Sequence, residues 1–108
     1  MTETELKNQL CTWLERFPDR CVFTISPPRR GKYTSRFLRA GWPDISGSWN
    51  GRPLGIEVKL PSGALSIAQH EMIERMRKLG WIAFVATCPE DCHRELLGTE
   101  IHENGLKF

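Results

Sequence analysis

Asn50 and Gly51 interrupt two extended segments, Pro43 to Trp49 and Arg52 to Leu60. Asn-Gly is the favoured pair for a two-residue type I′ turn, because both central residues of that turn need positive φ. A turn of this kind sets the register of the strands it joins. If Asn50 and Gly51 alone form the turn, Trp49 pairs with Arg52, and each step outward preserves the pairing. Asp44 then lies directly opposite Glu57. Directly opposed residues have Cβ atoms about 4.5–5.5 Å apart on one face of a sheet. Side chains alternate along a strand, so Lys59 shares that face while Ile45, Ile56 and Val58 point to the other.

Opposed like charges cost a hairpin a few tenths to ~1 kcal/mol. A sequence that keeps them either leaves both solvated or uses them together. A divalent cation between them turns repulsion into attraction, and two carboxylates at this spacing suit the hard, oxygen-seeking Mg²⁺. Lys59 would then neutralise charge building on a substrate phosphate, or help to orient and deprotonate the attacking water. The competing reading is a surface hairpin decorated with a cross-strand Glu-Lys pair.

The flanking segments place this hairpin in a larger pattern. Leu6, Leu10, Trp13, Leu14 and Phe17 recur at helical spacing, predicting a helix from about Thr4 to Phe17 that Pro18 and Asp19 end. Glu3 continues the apolar face of that helix and Glu5 points away. Glu3 is thus either part of a frayed helix end, favourable near the dipole, or a third metal ligand. Cys21 to Ile25 is β-branched and aromatic, so it reads as a strand. Ser26 to Gly41 reads as an irregular basic loop. A second helix is expected from Ser66 to Leu79, closed by Gly80. Gln69 lies three residues before Met72 on its apolar stripe, so it either faces the sheet near Glu57 and Lys59 or bonds back to Ser66 in a capping box. Trp81 to Thr87 reads as a buried strand. The tail suggests a short helix, Glu90 to Leu97, and an edge strand. The order helix, three strands, helix, strand implies one α/β domain, residues 1–108, with a mixed sheet.

Charge is unevenly distributed. Arg29, Arg30, Lys32, Arg36 and Arg39 occur in a stretch from 29 to 43 with no acidic residue, whereas the tail from Cys88 onward is mainly acidic. This asymmetry suits a polyanion meeting one side of the molecule. The four cysteines fit no CxxC spacing, so reduced thiols are expected rather than zinc ligands, although Cys88, Cys92 and His93 form one tight cluster. No apolar run approaches the roughly 20 residues of a membrane span. The first residues have neither a basic start nor an apolar stretch. A cytoplasmic protein is expected, with no membrane partner.

Gly41, Trp42, Pro43 and Asp44, then Ile56, Glu57, Val58 and Lys59, then Leu65 to Gln69 and Gly80, form an ordered set. It resembles the virus-type replication-repair nuclease (VRR-NUC) family of the PD-(D/E)xK nuclease superfamily, over a stretch from about Glu3 to Ala86. The resemblance implies a restriction-endonuclease-like α-β-β-β-α-β core with a mixed sheet flanked by helices. It also implies Mg²⁺ or Mn²⁺ held by Asp44 and Glu57, with the Val58 carbonyl as an extra ligand. Lys59 would be the catalytic lysine, Gln69 a site-supporting residue and Glu3 the carboxylate of the first helix. Arg36 and Arg39 match basic positions expected to contact phosphates. Stand-alone relatives are typical of phages and are linked to cutting branched DNA, such as Holliday junctions, as homodimers. Trp49, beside the exposed turn, is the tryptophan expected to be least buried and so available to such an interface. Two rival classes remain: a catalytically silent nucleic-acid-binding module of the same fold, and a carboxylate-based glycosidase, which leaves the basic loop unexplained.

Overall fold

The Asn50-Gly51 turn forms with φ of 49° and 82°, both in the left-handed region that a type I′ turn demands. This computed structural model describes residues 1–26, 37 and 39–98. The turn joins β2 (Ile45–Trp49) to β3 (Arg52–Val58), with Trp49 opposite Arg52 and Ile45 opposite Ile56. The expected register is the observed one. β1 (Cys21–Ile25) pairs antiparallel with β2 on its other side. β4 (Ile82–Ala86) pairs parallel with β3, giving a mixed four-stranded sheet in the order β1-β2-β3-β4. A parallel pair needs a crossover, and α2 (Ile67–Lys78) provides it.

α1 (Glu3–Leu14) begins with a capping box: the Thr2 hydroxyl accepts from the Glu5 N–H at 3.1 Å, and the Glu5 carboxylate accepts from the Thr2 N–H at 3.3 Å. The helix ends at Leu14 rather than Phe17. Arg16 and Phe17 instead donate to carbonyls three residues back, in a tightened final turn before Pro18. After β4, a short α3 (Pro89–Cys92) continues as a π-helical turn, His93–Leu97. The expected edge strand of the tail falls at 99–108, outside the described residues.

Strand parity divides the core. Ile45, Leu54, Ile56 and Val58 face α1, where Leu6, Leu10 and Leu14 are almost wholly buried against them with Phe84, Cys92 and Leu96. Each such side chain contributes ~1.5–3 kcal/mol of burial. On the opposite face α2 covers β3 and β4 with a smaller cluster of Ile73, Met76 and Ala83. Trp49 corrects the sequence reading, since it is only 3% exposed. Its parity matches Ile45, so it points into the α1 layer. There it stacks on Trp13 at 6.2 Å and meets Phe17 edge-on at 5.4 Å. Among the described residues, no helix is long and apolar enough to cross a membrane.

Candidate active site

Asp44 lies one residue before β2, where the ladder opens. The Ser26 N–H donates to the Asp44 carbonyl at 2.8 Å, extending the β1–β2 pairing past the strand ends. Across the hairpin, the Val58 N–H donates to Asp44 Oδ2 at 2.9 Å. The carboxylate is therefore drawn against β3, beside its cross-strand partner Glu57.

The preceding residues are held from the other side. Gly41 has φ of +80°, and a Cβ there would lie 2.2 Å from the Ala68 carbonyl oxygen and 2.8 Å from the Gln69 nitrogen. Only glycine lets this segment pass so close to the first turn of α2. The contact ties the loop carrying Asp44 to the helix carrying Gln69. Pro43 is among the most deeply buried residues, which fixes the approach of the chain to Asp44.

Gln69 does two things at once. Its Oε1 accepts from the Ser66 N–H at 2.9 Å while the Ser66 hydroxyl accepts from the Gln69 N–H at 3.1 Å, completing a capping box. With the amide oxygen occupied by the cap, Nε2 is turned toward the sheet and donates to Glu57 Oε2 at 3.2 Å. The two roles read from the sequence as alternatives are halves of one arrangement.

Among the described residues, Glu57 is the charged residue buried in the core, 2% exposed. Its pKa is pushed up to about 9, first by burial, then by its hydrogen bond to Asp44 and by the Asp44 charge. Lys59 acts in the opposite direction, and Glu3 adds a smaller raising effect. Glu5 is committed to its cap, and Glu3 is the carboxylate of α1 whose charge reaches Glu57. The proton that Glu57 keeps relieves the repulsion expected of an opposed pair. Two carboxyl groups face each other here, Glu57 buried and Asp44 half-buried, and as hard oxygen donors they fit a divalent ion. Among the described residues, no group of three or more His, Cys, Asp or Glu side chains is placed to hold a metal. Asp44 and Glu57 are a pair, and Glu3 does not complete a trio.

No family model matches the sequence, and no curated protein matches it. A solved structure described as a "VRR_NUC domain protein" does match, with a TM-score of 0.65 and 27% sequence identity, covering 83% of this chain and 80% of that one. This likeness supports the resemblance to the VRR-NUC family. The chain's mixed sheet and helices have the restriction-endonuclease-like arrangement that the VRR-NUC resemblance implied.

Of the expected site residues, the fold brings Asp44, Lys59 and Gln69 within reach of Glu57 electrostatically or by hydrogen bond. Arg29, Arg30, Lys32 and Arg36 lie outside the described residues, and Arg39 is exposed. The four cysteines are free thiols. Two positions escaped the sequence reading. Ser26 anchors the Asp44 backbone, with no motif to signal it. Gly41 opens the set that ends at Asp44, and its close approach to Ala68 is what requires glycine there.

Proposed function

We propose that this chain is a nuclease of the VRR-NUC kind, a Mg²⁺- or Mn²⁺-dependent endodeoxyribonuclease. The observation that supports this reading best is the buried Glu57 carboxylate facing Asp44, with Lys59 close enough to act on its charge. Asp44 and Glu57 would hold the cation, with the Val58 carbonyl as a further ligand. When bound, such an ion supplies Lewis-acid polarisation of a phosphate and a water acidified toward neutral pH. The chain's own residues do the rest. The Val58 N–H keeps the Asp44 carboxylate aimed at the site. Gln69 holds Glu57 in one orientation. Lys59 neutralises the negative charge that builds on the scissile phosphate.

A single site cuts one strand per encounter, and coordinated cleavage of both strands needs two sites at a fixed separation. A twofold homodimer provides this most simply. We therefore include in the proposal a preference for branched DNA over linear duplex, with paired symmetric incisions. Incubating plasmid and cruciform DNA with and without Mg²⁺ tests both levels. Metal-dependent cutting is the expected result, with linear product from the cruciform and little nicked intermediate. Retardation of the DNA without cutting in either condition would select the silent binding module instead. Nicking alone, with no preference for branches, would remove the dimer and junction while keeping the nuclease.

A further inference from the structure

A cavity opens beside Trp42, two residues before Asp44. It has a volume of about 190 Å³ and lies between the loop that leads to Asp44 and the C-terminal half of α2. Trp42 and Trp81 line it, meeting edge to face at 5.6 Å and 90°. In such a pair one ring engages through its edge, so its faces are left for other contacts. Met72 and the buried Met76 contribute soft, polarizable surface from α2. Leu79 stands at the mouth, 70% exposed. The remaining lining residues are Arg39 and Arg75, both exposed, and none of the lining residues is acidic.

The position matters as much as the composition. Trp42 is two residues from Asp44, and Gly41 locks this loop to the first turn of α2. Met72 to Leu79 follow Gln69, which donates to Glu57. At 1.5 Å per residue, the cavity spans from about 4.5 to 15 Å along α2 beyond Gln69. A strand with one phosphate at the carboxylates would bring neighbouring nucleotides to this opening.

We infer that the cavity between Trp42 and Trp81 is a stacking pocket for one unstacked nucleobase of single-stranded DNA next to the cleavage site. The indoles and methionines take the base, and Arg39 and Arg75 face the phosphates on either side of it. An aromatic slot with a cationic rim is the chemistry by which single strands are held regardless of sequence. Unpaired bases occur at branch points and ends and are absent from intact duplex, so the pocket would discriminate by DNA shape. The inference rests on the nuclease reading for the identity of the strand.

The test compares an oligothymidylate with an abasic oligomer of the same length and charge, using tryptophan fluorescence at low salt without metal. Oligothymidylate should quench the fluorescence and bind roughly five- to a hundredfold more tightly than the abasic strand. Leu79→Glu, at an exposed position, should abolish that difference without lowering the melting temperature. Equal affinities for the two strands would overturn the pocket, leaving only phosphate contacts. Quenching that follows protein concentration in sedimentation, without DNA, would overturn it in favour of a second copy of the chain. Plasmid cleavage with Mg²⁺, run in parallel, separates the two readings. Cleavage with equal affinities sinks the pocket and leaves the nuclease. Base-dependent binding without cleavage upholds the pocket and sinks the nuclease.

Discussion

Glu57 and Asp91 are carboxylates with little access to water, one strand apart: Glu57 pairs with Val85 on β4, and Thr87, just past the end of that strand, is a partner of Asp91. Their surroundings are opposite in sign. Asp91 accepts from the Thr87 N–H at 2.8 Å, the Thr87 hydroxyl at 3.0 Å and Arg94 Nη2 at 2.7 Å. Burial alone would raise its pKa, but the donors from Thr87 and Arg94 together hold it below the usual carboxylate range. Glu57 receives one amide donor and faces another carboxylate, so burial pushes it up to about 9. A carboxylate that serves the fold is surrounded by donors that favour its charge. One left short of donors beside a like charge is poised for a cation, and this is why perturbed titration points to function.

Removing the charged groups of the candidate site gives the largest expected effect. Glu57→Ala and Lys59→Ala should each lower Mg²⁺-dependent cleavage by at least about a hundredfold, as deletion of a charge-stabilising group does. Asp91→Asn should leave cleavage per folded molecule unchanged. Loss of cleavage in Asp91→Asn with an intact melting transition would break the comparison. Asp44→Ala belongs with the active-site variants but should also destabilise the metal-free protein by ~1–3 kcal/mol, since the Val58 N–H loses its acceptor.

Next in size is the pH dependence of the metal-free protein. Native Glu57 keeps a proton across the interval from its ordinary value of 4.5 to about 9, whereas the unfolded chain releases it near 4.5. The folded state therefore binds more protons in that window, and stability falls as pH rises through it. Asp91 has the reverse sign: its contribution is present above 3.8 and is lost as pH falls through its lower folded value. Melting temperatures measured from pH 5 to about 9 should decline, and Glu57→Gln should flatten the decline. A wild-type profile that rises over this range would contradict a proton kept on Glu57.

Asp91→Ala should cost about 1–2 kcal/mol by leaving the Thr87 N–H without its acceptor. For a domain of this size that lowers the melting temperature by several degrees, readable by calorimetry or circular dichroism. An unchanged transition would show that water replaces the side chain.

The smallest effect separates the two roles of Gln69. Gln69→Ala loses the capping box and should cost ~0.5–1 kcal/mol. Gln69→Glu keeps a capping acceptor at that position but brings a third carboxylate toward Glu57. Its melting temperature should stay above that of Gln69→Ala in the presence of Mg²⁺. If the two variants have the same stability with and without metal, the bond to Glu57 has no bearing on the site.

The local parts of this molecule were legible in the sequence. Asn50-Gly51 set the hairpin register, because a two-residue turn leaves only one pairing and strand parity does the rest. That alone placed Asp44 opposite Glu57, with Ile56 and Val58 on the other face. The Ser66 cap and the closing Gly80 bounded α2 for the same reason: each depends on neighbours within a few residues. Trp49 was misjudged because its burial depends on α1 arriving over its face, a contact between segments distant in the chain. The raised pKa of Glu57, the double bonding of Gln69, and the passage of Gly41 beneath Ala68 also arise only when β2, β3 and α2 are packed together. Pattern assigns a side chain to a face. Its solvation, and with it the charge it keeps, is decided by what the tertiary fold brings to cover that face.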